Sequence, residues 1–236
     1  MRILTVLAAM MGLLQQQPSA PGIHRSTFPV PGSAPMPYGI SVPRGYNAKD
    51  PVPLVLALHP GGERMPYYGA AFVQQIVAPG LETLRAIIVA PDCPTRSWTD
   101  AASDQAVMAL LEQVMRDYKI DRQRILVVGF SLGGRGTWFM ASHHADLFTA
   151  AIPMAASTGD EQTDRLATMP TYVIHSRDDE VVPFTPAERN ARALEKLGRT
   201  IKFEALQDIG HFQMGGYVES LRRAGRWVAE QWKSRG

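Results

Sequence analysis

Apolar positions along the chain fall into two alternating patterns. Pro53–Leu58 (P-L-V-L-A-L) and Ala86–Ala90 (A-I-I-V-A) are continuous apolar runs, the signature of strands buried on both faces. Ile125–Val128 is a third, and Ala150–Met154 and Thr171–Ile174 are shorter candidates. Tyr38–Val42 alternates weakly and predicts an edge strand, whereas Ile201–Leu206 alternates as a last, more exposed one. Between these runs the period changes. Val107, Leu111, Val114 and Tyr118 line one face of a helix over Ser103–Tyr118, and Leu221, Ala224 and Val228 do so over Tyr217–Trp232. Thr185-Pro186-Ala187-Glu188 reads as a helix start, with Thr as cap, Pro in the first turn and Glu188 closing a capping box; Gly198 ends that helix. Strands alternating with helices predict an α/β fold whose central sheet is mostly parallel and covered by helices on both faces.

One strand runs into an unusual turn. Ile125–Gly134 reads I-L-V-V-G-F-S-L-G-G, and the following R-G-T-W-F-M-A-S can continue as a helix. Strand, sharp turn with one Ser, and helix make a nucleophile elbow, or alternatively a Gly-rich turn with an ordinary Ser. In an elbow Ser131 occupies a strained turn with its hydroxyl facing outward. Side chains two residues before and two after would collide there, so Gly129 and Gly133 are required.

The remaining parts of such a site belong at the carboxyl ends of the strands. After Ile174 comes H-S-R-D-D-E-V-V-P, and after Leu206 comes Q-D-I-G-H-F. Ser131, then an Asp, then His211 gives the chain order Ser…Asp…His. Neutral Ser is a weak nucleophile. A His takes its proton and later delivers it to the leaving group, and a carboxylate fixes the His tautomer and stabilises the imidazolium.

Composition narrows the class. The chain has 236 residues, 45% hydrophobic and 19% charged, which suits one globular domain. A net charge of +2 with no Lys/Arg run gives no reason to expect nucleic acid as a partner. Cys93 is the single cysteine, so no internal disulfide forms, and a partly buried thiol is expected there. Arg2 followed by the apolar run Ile3–Leu14 and a polar stretch ending at Ala20 predicts a signal peptide over 1–20, a disordered or anchoring start being the alternative. Residues 21–36, rich in Pro, Gly and Ser, read as a linker or tail, and 37–236 as the catalytic domain. The expected location is secreted or periplasmic, with no membrane span after signal cleavage.

Y-G-I-S-V-P-R-G-Y, L-V-L-A-L-H-P-G-G-E, A-P-D-C-P, G-F-S-L-G-G-R-G-T-W, H-S-R-D-D-E-V-V-P and G-H-F together resemble the α/β-hydrolases of the esterase and "predicted peptidase" type, near polyhydroxybutyrate-depolymerase-like, feruloyl-esterase-like and dienelactone-hydrolase-like enzymes. The resemblance covers nearly everything from Tyr38 onward. It implies a serine hydrolase that cleaves short-acyl or polymer-linked carboxylic esters through an acyl-enzyme, without cofactor or metal, and with the expected signal peptide the enzyme reads as exported. A serine peptidase and an inactive binding protein on the same fold are the alternatives. The family's D-x-x-V-P pattern falls on Asp179, which leaves Asp178 to cap the turn. The oxyanion hole is expected from Leu132 N–H and from the loop His59-Pro60-Gly61-Gly62. Pro60 has no N–H, so Gly61 is the first choice and Gly62 the second. A lid in this family commonly follows the strand after the elbow helix. Here Ala155–Pro170 is too short for a folded cap, so no large lid is expected.

Tyr67, Tyr68, Trp98 and Phe212 fall near the expected mouth, as walls of a substrate pocket or as plain packing. His59 is expected to brace the oxyanion loop, and His143 and His144 to be solvated. His175 ends a strand beside the acid loop, at the family's structural His position. No His/carboxylate spacing points to a metal.

Overall fold

The computed structural model describes residues 18–63, 65–158 and 168–234. Most of the expected signal segment, residues 1–17, lies outside them. Among the described residues no helix is long and apolar enough to cross a membrane.

Eight strands form one sheet: β1 (Gly22–Phe28), β2 (Met36–Val42), β3 (Val52–Leu58), β4 (Ile87–Pro91), β5 (Ile120–Phe130), β6 (Ala150–Met154), β7 (Thr171–Ser176) and β8 (Ile201–Leu206), in the order β1-β2-β4-β3-β5-β6-β7-β8. The two pairings at the β1 end are antiparallel and the rest are parallel. β3, β4, β6 and β7 are buried almost throughout, and β5 is buried from Ile125 onward, where its apolar run begins.

Two expectations fail at the amino-terminal side. The stretch expected to be a linker, 21–36, contains β1, which pairs with β2 from Gly22↔Val42 to Phe28↔Met36. Pro29, Pro31, Gly32 and Pro35 belong to the hairpin connection, where Gly32 has φ 73° and Ser33 N–H closes a turn on Val30 O. They hide a short alternating run that gains its partner only in the sheet. Consequently β2 is not an edge strand: it lies between β1 and β4, and Tyr38, Ile40 and Val42 are buried.

Helices cover both faces. α1 (Tyr68–Phe72) passes through one π-helical turn, Val73–Val77, into α2 (Ala78–Leu81), and this run packs with α6 (Val218–Lys233) on one side of the sheet. α3 (Ala101–Asp117) presents Val107, Leu111 and Val114 to the other core, with Tyr118 buried just past its end. Asp100 caps α3 by accepting the Ser103 N–H. α4 (Leu132–His143) follows β5, and just past its end His144 Nε2 hydrogen-bonds Asp104 Oδ1 of α3 at 2.7 Å rather than standing free in solvent. α5 (Phe184–Lys196) starts one residue before the expected cap and has no side-chain cap. Pro183 supplies the entering φ of −58°, and the Phe184 ring packs on Phe203 under the Arg177 guanidinium. Glu188, freed from a capping box, pairs with Arg192 at 2.9 Å. Gly198 ends the helix with φ 71°, as expected. This is the α/β-hydrolase architecture. The connection from β6 to β7 runs over 155–170, of which 159–167 lie outside the described residues.

Candidate active site

β5 delivers Ser131 at φ 54°, ψ −116°, a conformation that costs a non-glycine residue on the order of 1–3 kcal/mol. The surroundings hold it there. Ser131 N–H donates to Met154 O at 2.9 Å. A Cβ on Gly129 would lie 2.2 Å from Gly133 O, and one on Gly133 would lie 1.9 Å from Leu58 O. Gly134 is equally constrained, its Cβ position being 2.3 Å from Met154 O. The G-x-S-x-G-G spacing therefore reflects backbone of β3, β6 and α4 crowding onto one turn.

The carboxyl ends of β7 and β8 bring the other two groups. Ser131 Oγ donates to His211 Nε2 at 2.9 Å, and His211 Nδ1–H donates to Asp179 Oδ2 at 2.8 Å. The Asp179 side chain is fully buried and that of His211 nearly so. Asp179 uses both oxygens: Oδ1 accepts from Val181 N–H at 3.0 Å and from Val182 N–H at 2.7 Å. Asp179 itself thus caps the turn, the role expected of Asp178. Asp178 instead reaches out of its loop to accept the Asp208 N–H. Phe130 and Phe212 flank the His211 ring, with centroids at 5.1 and 5.6 Å.

His175 is the other imidazole at this place. It is fully buried, donates from Nε2 to Val182 O at 3.0 Å and stands 3.5 Å from Asp179 Oδ2. Its Nδ1 is buried without a partner among the described residues. Burial lowers its pKa, because the charged ring would lose its hydration there. It is His211, not His175, that hydrogen-bonds Ser131.

The loop after β3 adjoins the elbow. A Cβ on Gly61 would lie 3.7 Å from Leu132 Cβ, so the Gly61 and Leu132 backbones are neighbours. Leu132 opens α4, and its N–H belongs to the first helical turn, where amides have no intrahelical acceptor. His59 fixes the Pro60–Gly61 peptide: its Nδ1–H donates to Pro60 O at 2.7 Å, and its Nε2 accepts the Cys93 N–H at 2.9 Å. In a planar trans peptide the C=O and N–H point in opposite directions. Holding Pro60 O on the imidazole therefore turns Gly61 N–H away from it.

His59 is buried, tilted against the Tyr68 ring and edge-on to Trp98, and burial drops its pKa from 6.5 to about 4. The folded value lies below the unfolded one, so its contribution to stability is complete above about pH 6.5 and is lost as pH falls toward 4. By pH 5 the loss is about 2 kcal/mol. Urea unfolding at pH 7 and pH 5 checks this: the wild type should lose about 2 kcal/mol more than His59→Phe, and equal losses would show that His59 does not titrate this way.

The aromatic expectations divide. Trp98 is 0% exposed, so it walls no pocket. Its Nε1–H donates to His59 O at 3.0 Å, and its Cβ backs Gly136 of α4, so it locks the end of β3 to the elbow helix. Tyr67 is half-buried, with the Arg25 guanidinium over its ring, and it is Tyr68 whose hydroxyl approaches Gly62. Phe212 is 80% exposed beside His211. Met65 and Val181, on the loops that carry Gly61 and Asp179, are also exposed.

Sequence reasoning missed Asp92 and Glu180. Asp92 Oδ2 and Oδ1 accept the N–H groups of Tyr67 (2.6 Å) and Gly69 (2.9 Å), tying β4 to the start of α1. Glu180 Oε2 accepts the His211 N–H at 2.9 Å. The available signals were an Asp directly after a strand and an uninterrupted run of three acids.

Comparison with known proteins agrees with the fold. The PET hydrolase-like family model matches residues 69–200. A probable feruloyl esterase C of Aspergillus flavus is 31% identical over 154 residues, covering 62% of this chain and 56% of that protein. The chain thus spans little more than half the length of the curated relatives it matches. A thermostable esterase of known structure superposes with a TM-score of 0.72 at 25% identity, over 88% of this chain and 62% of that one. A ferulic acid esterase, at 19% identity, gives the same TM-score over 89% of this chain and 98% of the other, a likeness of fold.

Proposed function

The chain belongs to the PET hydrolase-like family and has the α/β-hydrolase fold, and from that premise we propose that it is an exported serine hydrolase that cleaves carboxylic esters through an acyl-enzyme intermediate. The observation that carries this reading is the continuous hydrogen-bonded series Ser131–His211–Asp179 at the carboxyl ends of β5, β8 and β7. His211 Nε2 takes the Ser131 proton as Oγ attacks the ester carbonyl. Asp179 stabilises the resulting imidazolium, and the N–H groups of Leu132 and Gly61 receive the oxyanion. The imidazolium then protonates the leaving alkoxide, and water repeats the sequence to release the acid. Phe212, and Tyr67 at the start of α1, are the proposed substrate contacts. Export rests on the basic and apolar start of the chain, Arg2 with Ile3–Leu14.

The substrates are short-acyl or polymer-linked esters. Little chain is available between the strands to build a deep acyl tunnel, and each methylene left unburied forgoes about 0.8 kcal/mol of transition-state binding. Steady-state kinetics on a nitrophenyl ester series should give the highest kcat/KM from acetate to butyrate, with no rise when substrate passes from solution to micelles. A preference for chains of about twelve carbons would reveal a tunnel. The reading as a whole is tested by a panel of aryl esters, acetylated and feruloylated sugars, hydroxyalkanoate oligomers and peptides. Cleavage of peptides but not esters would replace the esterase by a peptidase.

A further inference from the structure

We propose that Asp178 and Glu180, the carboxylates on either side of Asp179, are positioning residues that clamp the loop carrying His211. The inference rests on the reading of His211 as the general base.

Three consecutive acids at the end of β7 hold three different groups of one loop after β8. Asp178 Oδ2 accepts the Asp208 N–H at 2.7 Å, Asp179 Oδ2 accepts His211 Nδ1–H at 2.8 Å, and Glu180 Oε2 accepts the His211 N–H at 2.9 Å. The sheet makes this possible. β7 and β8 are parallel neighbours in register up to Ser176↔Leu206, and Arg177 N–H donates to Leu206 O, so both loops leave the sheet side by side.

Two features of the loop require an external hold. Asp208 has φ 58°, a left-handed conformation unfavourable for a residue with a Cβ, and it is the Asp208 amide that Asp178 pins. Gly210 leaves the path to the His211 amide open, since a Cβ there would lie 3.0 Å from Glu180 Oε2. The Gly210 N–H is in turn taken by Gln213 Oε1 at 2.8 Å. Asp178 and Glu180 are both exposed, and three adjacent negative charges repel; each nevertheless faces a backbone donor, where a carboxylate makes a strong hydrogen bond. The consequence is kinetic. Proton transfer needs His211 Nε2 within hydrogen-bond reach of Ser131 Oγ, and a misplacement of about 1 Å can cost on the order of 10²-fold in rate.

The test compares alanine with acceptor-keeping variants on a soluble nitrophenyl acetate, with thermal unfolding followed in parallel. Glu180→Ala and Asp178→Ala should each lower kcat about tenfold with KM changed less than about twofold, and the double variant should lose about a hundredfold. Glu180→Gln and Asp178→Asn keep an oxygen facing the amide and should return kcat to within about threefold of wild type. Gly210→Ala, whose added Cβ would press on Glu180 Oε2 at 3.0 Å, should lower kcat in the same direction as Glu180→Ala and keeps the idea testable if an alanine variant fails to fold. Alanine variants with wild-type kcat, or losses as large in the Gln and Asn variants as in the Ala ones, would overturn the clamp. Ser131→Ala runs alongside: if it is inactive while the clamp variants are unaffected, only the clamp fails, whereas wild-type turnover by Ser131→Ala removes the site reading on which the clamp depends.

Discussion

Ser131→Ala should lower ester hydrolysis by a factor of about 10⁴ or more and abolish covalent labelling by a fluorophosphonate. The substitution removes the attacking atom and the donor of the 2.9 Å bond to His211 Nε2, and little else. The strained φ of 54° belongs to the backbone, which is held by Ser131 N–H to Met154 O and by the close packing around Gly129 and Gly133. Ala meets those constraints as Ser does, so the unfolding midpoint should stay close to that of the wild type. The measurement is kcat/KM together with gel-detected labelling. A labelled Ser131→Ala protein would transfer the nucleophile to another side chain.

Asp179→Asn should cost on the order of 10³ to 10⁴ in kcat with the fold intact. The hydrogen bonds around the carboxylate give the reason. Val181 N–H and Val182 N–H both need an acceptor at Oδ1, and an Asn supplies only one oxygen. With its oxygen kept on those two amides, its NH₂ group faces His211 Nδ1. That nitrogen must then accept, and the ring proton moves to Nε2, where the Ser131 hydroxyl needs a lone pair. Asp178→Asn faces no such conflict. Among the described residues its carboxylate accepts the Asp208 N–H, which an amide oxygen can still accept, so its loss should be far smaller. A larger loss in Asp178→Asn than in Asp179→Asn would mean that the acid had been assigned to the wrong carboxylate.

What was legible in the sequence has a local physical origin. Strands buried on both faces need unbroken apolar runs, which is why β3, β4 and β6 stand out in the text of the chain. The helical faces of α3 and α6 follow from a period that the chain itself carries. The elbow is legible because its glycines stand two residues either side of Ser131, although only Gly129 is crowded from within the turn, by Gly133 O, while Gly133 is crowded by Leu58 O of β3. The chain order Ser131, an Asp, His211 could be read because strand ends gather polar groups on one side of a parallel sheet, and it was the family's D-x-x-V-P pattern that implied Asp179.

What only the tertiary structure decided depends on partners distant in sequence. β1 was hidden among turn residues, since a strand exists only with its neighbour, here β2. Trp98 was a candidate wall until the end of β3 and the elbow helix closed over it, and no local pattern records that burial. The capping box at Glu188 was a sound local motif, overridden when Phe184 found Phe203 and Glu188 found Arg192. Asp178, Asp179 and Glu180 are alike as letters. They differ because each meets a different donor on the loop after β8: the Asp208 amide, the His211 ring and the His211 amide. A sequence specifies which groups can donate and accept, but the pairing of two strands brought together from different parts of the chain decides which of them meet.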